Sequence, residues 1–383
     1  MRDVLIVGGG PVGLLLATLL ADAGLDVTVW ERRQSVAPLS RAIGIHPPSL
    51  AALEQAGIAE AVLAEALPIR RGIASCGDRV LGQVAFDRAH PRFPFVAALP
   101  QSRSETLLAA RLDELAPGVL RRGVVLESLL DIGDHVRAVG RDDQTDVARS
   151  PLIEERARFV IGADGARSAV RELLGIAAPA YDYPDTYVMG DFADTGREPV
   201  AFVHLEPDGV VEAFPLPGGA RRYVVHTPHP AEPSAAWLAE LVAARTGVGL
   251  EAASATMLSA FSVRRRFARR MIAGRVVLIG DAAHEISPIG GQGMNLGWLD
   301  AAALAPILVE SVHRGAPDVA ALRAFGSRRT ASARRAARQA ELNMALGRPV
   351  RGARLAARNA ALRAALRSPA SGLLASVYAM RWS

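Results

Sequence analysis

No lysine occurs in this chain; all 44 of its cationic side chains are arginines. Together with the alanine and glycine excess, that reads as a composition bias rather than a functional device. The single cysteine, Cys76, excludes an intramolecular disulfide and points to a reducing compartment. Long apolar runs are missing too: Val12–Ala21 and Ala301–Val309 are both too short to span a bilayer. The first expected strand begins at residue 3, which leaves no room for a signal peptide, so a cytoplasmic protein is expected. There is no HxxxH, CxxC or paired-carboxylate pattern, and no metal is expected. The high isoelectric point suggests nucleic acid, but the surplus is local. From Ala321 to Ser383 there are 13 arginines against one acid, Glu341, and the remainder is net acidic. A basic tail without interleaved aromatics is poor material for base recognition, so no nucleic-acid partner is expected.

Three glycine-bearing corners are present instead. Asp3–Val7 is an apolar run leading into Gly8-Gly9-Gly10-Pro11-Val12-Gly13, followed by helix-compatible Leu14–Ala23 and a second strand, Asp26–Trp30, that ends in Glu31 and Arg32. This is G-x-G-x-x-G between a strand and a helix, with an acid 18 residues beyond the last glycine. Such glycines permit a tight turn, close approach of a pyrophosphate and close helix–strand packing, and the acid is placed for ribose hydroxyls. A second corner follows the strand Arg275–Ile279: Gly280-Asp281, a loop with Pro288, then Gly290, Gly291, Gly293 and Gly297 at a helix start. Glycines there leave backbone N–H groups bare beside a bound anion. The third, Phe159–Arg171, is a strand followed by Asp164-Gly165, with Arg167 and Ser168 at a helix start. Asp164 and Asp281 suit ligand contact in these settings, although Asp-Gly is also an ordinary turn pair.

The three segments, in this order and at about these spacings, resemble the class A FAD-dependent aromatic monooxygenases of the p-hydroxybenzoate hydroxylase type. Ser40-Arg41-Ala42-Ile43-Gly44 and Gln101 with Leu107 and Leu108 add smaller matches, and the likeness spans Met1 to roughly Leu304. It implies an α/β fold: a Rossmann-like FAD-binding domain, an inserted antiparallel-sheet substrate domain, and C-terminal helices. It also implies non-covalent FAD, NADPH or NADH as a transient co-substrate, and O2. Hydroxylation of a phenolic, polyketide-like small molecule would pass through a C4a-hydroperoxyflavin. Carried over by motif, Gly8, Gly10, Pro11, Val12 and Gly13 meet the FAD pyrophosphate, Glu31 and Arg32 the adenosine side, and Arg41 the pyrophosphate and ring. Gln101 and Asp164 fall on flavin-contacting segments, and Gly280 and Asp281 belong with the ribityl chain. The Gly291, Gly293, Met294 and Asn295 backbone belongs with the pyrimidine edge. Pro288 lies over the ring, and His46 points near the flavin face, where it is also a substrate-pocket candidate; these two are the catalytic candidates, although the flavin itself carries the chemistry.

Along the chain, Pro48–Leu63 reads as helical with a break at Gly57, Arg70–Phe86 as short strands, and Ser102–Leu115 as a helix capped by Ser102 or Ser104. Val124–Leu130 and His135–Val139 read as strands about a turn at Gly133. Thr186–Thr227 reads as a four-stranded meander, followed by a helix with Trp237, Leu238 and Leu241 and the strand Thr256–Val263. The expected domains are 1–69, 97–176 and 264–330 for FAD, and 70–96 and 177–263 for substrate. Residues 331–383 form a helical segment with breaks at Pro349 and Pro369, an apolar stripe (Leu355, Leu362, Leu366) and a solvated arginine face. Substrate-pocket candidates on the meander are Tyr187, Met189, Phe202, His204, Phe214 and Tyr223, with His226 as an alternative to His204 depending on which alternates inward. Core packing explains the aromatic pattern equally well. His284 sits in the Gly-Asp loop without an evident acid–base partner. A monomer or homodimer is expected.

Other flavin chemistries fit less well. A tryptophan halogenase of this fold needs a lysine and a Trp-x-Trp-x-Ile-Pro run, and both are missing. Two-dinucleotide-fold Baeyer–Villiger enzymes need a second G-x-G-x-x-G, also missing. A Baeyer–Villiger or epoxidising outcome on the single-fold scaffold stays open, as do a reductase of the geranylgeranyl-reductase type and a non-catalytic flavin-binding protein.

Overall fold

The computed structural model describes residues 1–37, 40–87, 89–142, 151–194, 198–367 and 380. Its first eight-stranded sheet is built on Arg2–Val7, which pairs in parallel with Val27–Glu31 on one side and Leu152–Gly162 on the other. Leu120–Arg122 and Val276–Leu278 extend the parallel part outward. The antiparallel pair Val124–Asp131 and Val136–Asp142 returns on Leu152–Gly162. Central strands of a parallel sheet are buried on both faces, which is why Val4, Leu5 and Ile6 read as a continuous apolar run and are 0% exposed. The helices Pro11–Asp22 and Gly293–His313 pack together on this sheet. All three glycine corners therefore open at the carboxyl ends of neighbouring parallel strands, where crevices form in such sheets.

A second eight-stranded sheet runs in the order His284–Glu285, Met257–Phe267, Ala180–Ala193, Ala220–Thr227, Gly209–Leu216, Ala201–Glu206, Arg71–Cys76, Arg79–Ala85. The four strands expected as a meander form its centre, but not in chain order: Ala180–Ala193 pairs with Ala220–Thr227 and not with Ala201–Glu206, so the expected meander is corrected to a Greek-key order. The sheet is antiparallel except where Ala201–Glu206 meets Arg71–Cys76. The helix Ala235–Thr246, closed by Gly247 at φ +71°, covers one face through Leu238 and Val242. The other face turns toward the glycine corners. Each strand alternates sides, so a one-residue step decides whether a side chain meets helix or cavity.

Two expectations are corrected at element ends. The helix Gln101–Leu115 has Pro100 at its N-cap; Ser102 and Ser104 lie inside its first turn, and neither caps it. The C-terminal helical region begins at Val319, not Ala331. Asp318 caps that helix by accepting from Ala321 N at 2.9 Å, and nothing breaks it before Gly347. Gly352–Arg367 then forms a further helix against Arg79–Ala85, with the Leu366 side chain lying over Gly82. The break expected at Pro369 lies outside the described residues.

Candidate functional site

Between the two sheets lies one cavity of about 880 Å³, within the size range of cofactor and ligand sites. The first glycine turn forms one end. Gly8 has φ +112°, and a Cβ there would lie 2.3 Å from the Ala163 carbonyl oxygen, so the fold itself requires glycine. At Gly10 the nearest protein atom to an added Cβ is an Arg33 nitrogen at 4.0 Å. The protein leaves that position open; a group seated in the cavity would not.

Glu31 is buried beside the turn. Its carboxylate accepts from Gly9 N at 2.7 Å and from Arg33 N at 2.8 Å and Nε at 3.0 Å. Burial works against the charge, but the Arg33 hydrogen bonds outweigh it and hold the carboxyl below its ordinary value. An ionised acceptor with lone pairs to spare faces the cavity. Arg32 and Arg41 line its rim, and Arg41 reaches across to Ser259 Oγ and the Ala260 carbonyl, each at 3.3 Å. Gln101 lines the same region and donates to Glu105 at 2.7 Å.

The two Asp-bearing corners behave differently. Asp164 lines the cavity but also accepts from Ser168 Oγ at 2.6 Å and Val170 N at 3.1 Å, so it caps its own turn. It is a turn acid that also faces the cavity. Asp281 is exposed to the cavity, and the protein packed around it withholds enough solvent to raise its carboxyl above the ordinary range, with His284 opposing the shift. No hydrogen bond reaches its carboxylate from the described residues. An acid exposed only to a cavity and left without a protein partner suits a ligand hydroxyl.

Pro288, Gly291, Gly293 and Met294 complete this wall, with Gly280 beneath them. Asn295 does not face the cavity. Its buried amide donates to the Gly44 and Gly291 carbonyls at 2.9 and 2.7 Å and accepts from His46 N at 2.8 Å, clamping the loop to the His46 segment. Gly13 is also outside the lining; a Cβ there would fall 1.9 Å from the Gly8 carbonyl oxygen, so it sets helix–strand contact. Every other residue expected at the nucleotide lines the cavity.

Strand alternation sorts the pocket candidates. Met189 and Phe214 face the cavity, and His46 lines it from the opposite side. Phe202, His204 and Tyr223 sit on the other parity. Phe202 and Tyr223 join the cluster under the covering helix, and His204 bonds Ser75 Oγ at 2.9 Å. Tyr187 shares the parity of Met189 but is stacked on Phe261 at 5.5 Å, deeper than the cavity. His226 also has the inward parity, yet is buried against Asp185 at 3.5 Å. Burial lowers His46 to about 4, against the pull of the Gly290 and Gly291 backbone, so its ring is neutral near pH 7.

Several supporting side chains escaped the sequence reading. Arg222 holds Asp191 through two bonds of 2.7 Å and donates to the Ser40 and Arg41 carbonyls at 2.8 and 2.6 Å, joining the second sheet to the cavity rim. Arg171 donates to the Ala282 and Ala166 carbonyls at 2.9 and 2.8 Å, tying the two Asp corners together. His284 is no lone histidine. Its Nε2 lies 2.6 Å from Asp300, which accepts from Arg329 Nε at 2.6 Å and Gly280 N at 2.9 Å. Arg329, two residues ahead of the segment expected to carry a solvated arginine face, is thus buried.

A family model described as an FAD binding domain matches residues 1–340. The chain belongs to this FAD-binding family, and FAD is its cofactor. Among curated relatives, it is 35% identical over 324 residues to 6-methylpretetramide 4-monooxygenase of Streptomyces rimosus, covering 81% of this chain and 56% of that one. It is 32% identical over 339 residues to para-nitrophenol 4-monooxygenase of a Pseudomonas strain, covering 82% and 80%. The crystal structure of p-nitrophenol 4-monooxygenase from Pseudomonas putida superposes with TM-score 0.87 at 25% identity, covering 100% of this chain and 96% of that one. The chain spans 56–66% of the length of the first three curated relatives it matches. No helix among the described residues is long and apolar enough to cross a membrane.

Proposed function

We propose that this protein is an NAD(P)H- and O2-dependent flavin monooxygenase that hydroxylates a phenolic, polyketide-like aromatic. The observation carrying that reading is the cavity itself, which joins the glycine corners of the parallel sheet to the apolar face of the second sheet. Bound FAD would supply the activation of O2. The chain's own residues hold, orient and shield. The Gly8–Gly10 turn takes the pyrophosphate, Glu31 the ribose and Asp281 the ribityl hydroxyls. The bare N–H groups at the start of Gly293–His313 favour negative charge on the flavin's pyrimidine edge, more strongly where water is excluded. Pro288 and His46 flank the reaction zone, and the neutral His46 ring adds no charge there. Relatives named for para-nitrophenol and 6-methylpretetramide support an aromatic substrate.

Residues 1–69, 97–176 and 264–330 are proposed as the FAD unit, with 70–96 and 177–263 forming the substrate unit and the remainder a C-terminal segment, whose first helix already begins inside the FAD unit at Val319. A cytoplasmic monomer or homodimer, without nucleic-acid partners, is the setting that fits its single cysteine. With one nucleotide fold, NAD(P)H meets the flavin only transiently, so reduction should wait for substrate. In anaerobic stopped-flow, reduction by NAD(P)H is expected to be slow alone and much faster with the true phenol, because the phenol favours the reducible flavin position. Equal rates would contradict this and favour a reductase.

A further inference from the structure

Two acids of the second sheet line the cavity: Glu285 on its edge strand, which faces Arg266 at 3.6 Å, and Glu212 in the middle of its apolar face. Along a single row across the strands, register sets Met189 beside Val224, Val224 beside Glu212, Glu212 beside Val203, and Val203 beside Ala74. All five line the cavity. The lateral neighbours of Glu212 are therefore valines, and Phe214 follows it on the same face. Its side chain is buried, and no hydrogen bond reaches its carboxylate from the described residues. The nearest cation on the adjoining row, Arg222, is committed to Asp191 and to the rim carbonyls. Burial alone pushes the Glu212 carboxyl up to about 7. The Tyr187 hydroxyl, its neighbour from the adjacent row, is buried and likewise unpaired.

A carboxyl left unpaired among valines destabilises the fold, so its presence calls for a partner that arrives from outside. The nucleotide corners belong to the first sheet, and Glu212 belongs to the second. We infer that Glu212 is the polar anchor of the substrate half of the cavity, accepting a hydrogen bond from the free hydroxyl of a neutral aromatic substrate and rejecting aromatics that carry a carboxylate. This deepens the monooxygenase reading and rests on it for the identity of the cavity's two halves. The selectivity follows from charge. A hydroxyl gives the acid the donor it lacks, an ether gives it nothing, and a second anion repels it in a low-dielectric setting.

The test uses oxidised, FAD-loaded protein at about pH 8, where the anchor is largely ionised, without NAD(P)H. Dissociation constants for 1-naphthol, 1-methoxynaphthalene and 1-naphthoate are read from the flavin's visible difference spectrum. The wild-type protein is expected to bind 1-naphthol about tenfold tighter than the ether, the worth of one hydrogen bond to a charged group, and to bind 1-naphthoate weakest. Glu212→Leu is expected to lose that preference by weakening 1-naphthol alone, and to gain affinity for 1-naphthoate. Glu212→Gln keeps an acceptor and should retain part of the preference; it replaces the leucine variant if the latter fails to take up FAD. Equal binding of naphthol and ether by the wild type, binding of neither, or a preference that survives in Glu212→Leu would overturn the assignment. No oxygen is consumed in the assay. Failure to monooxygenate leaves this result standing, and loss of the preference leaves the monooxygenase reading standing.

Discussion

Replacing Asp300 by alanine is expected to lower folding stability by about 3–5 kcal/mol, the usual consequence of stripping one partner from a buried charge pair. Asp300 is 0% exposed and receives His284, Arg329 and the Gly280 N–H. Its removal leaves a buried guanidinium and imidazole facing each other and frees the Gly280-Asp281 corner. Burial opposes both charges, but each partner overcomes it: His284 and Arg329 hold Asp300 below its ordinary 3.8, and Asp300 holds His284 above its ordinary 6.5. A lowered acid contributes stability above its unfolded pKa and loses it as pH falls through the folded value. A raised histidine contributes fully below its unfolded pKa and loses it as pH rises through the folded value. The pair's contribution should therefore be greatest between about pH 4 and 6.5 and decline on either side. Urea unfolding across that range measures it. A loss under about 1 kcal/mol, the scale of an exposed pair, would show that the network is not buried in solution.

Gly13→Ala and Gly10→Ala should fail in different ways. At Gly13 the added methyl lies 1.9 Å from a backbone oxygen of Gly8, so the first turn of the helix must leave the strand. A penalty of about 3 kcal/mol or more is expected, roughly a hundredfold in FAD affinity if it falls on the holo geometry, and the apoprotein should melt earlier too. At Gly10 the methyl meets only the far end of the Arg33 side chain, at 4.0 Å, which is ordinary contact. The apoprotein should keep its stability while FAD binding weakens, since only the cofactor approaches that backbone. Parallel melting curves and FAD titrations separate the two glycines. An unchanged FAD affinity in Gly10→Ala would remove the pyrophosphate from that turn.

The glycine corners were legible because each is local: strand, turn and helix start follow one another in sequence, and conformation there depends on few neighbours. The four strands between Ala180 and Thr227 were legible for the same reason, since alternation and turn residues are short-range signals, but their order was not, because Ala180–Ala193 pairs with the distant Ala220–Thr227. What lay beyond reach depends on pairing between distant strands. Tyr223, Phe202 and His204 face away from the cavity because their parity is opposite to that of Met189 and Phe214, and parity across strands is set by register. Glu212 carried a readable hint, being an acid two residues before Phe214 within an otherwise apolar strand. Arg329 carried none. Within an arginine-rich helix it looks like its neighbours, and only the fold of that helix over Asp300 distinguishes it. Asn295 shows the same limit on a smaller scale, because its backbone position at the helix start was evident while its side chain turns toward His46 and Gly44.

The most direct test of the account is oxygen transfer from labelled O2. The FAD-loaded protein is incubated with NAD(P)H and the phenol that most accelerates NAD(P)H oxidation, under 18O2, and the product is analysed by mass spectrometry. The account predicts a hydroxylated product carrying one labelled oxygen atom, in step with NAD(P)H consumed. Reduction of the substrate without oxygen uptake, or a product whose new oxygen comes from water, would contradict it.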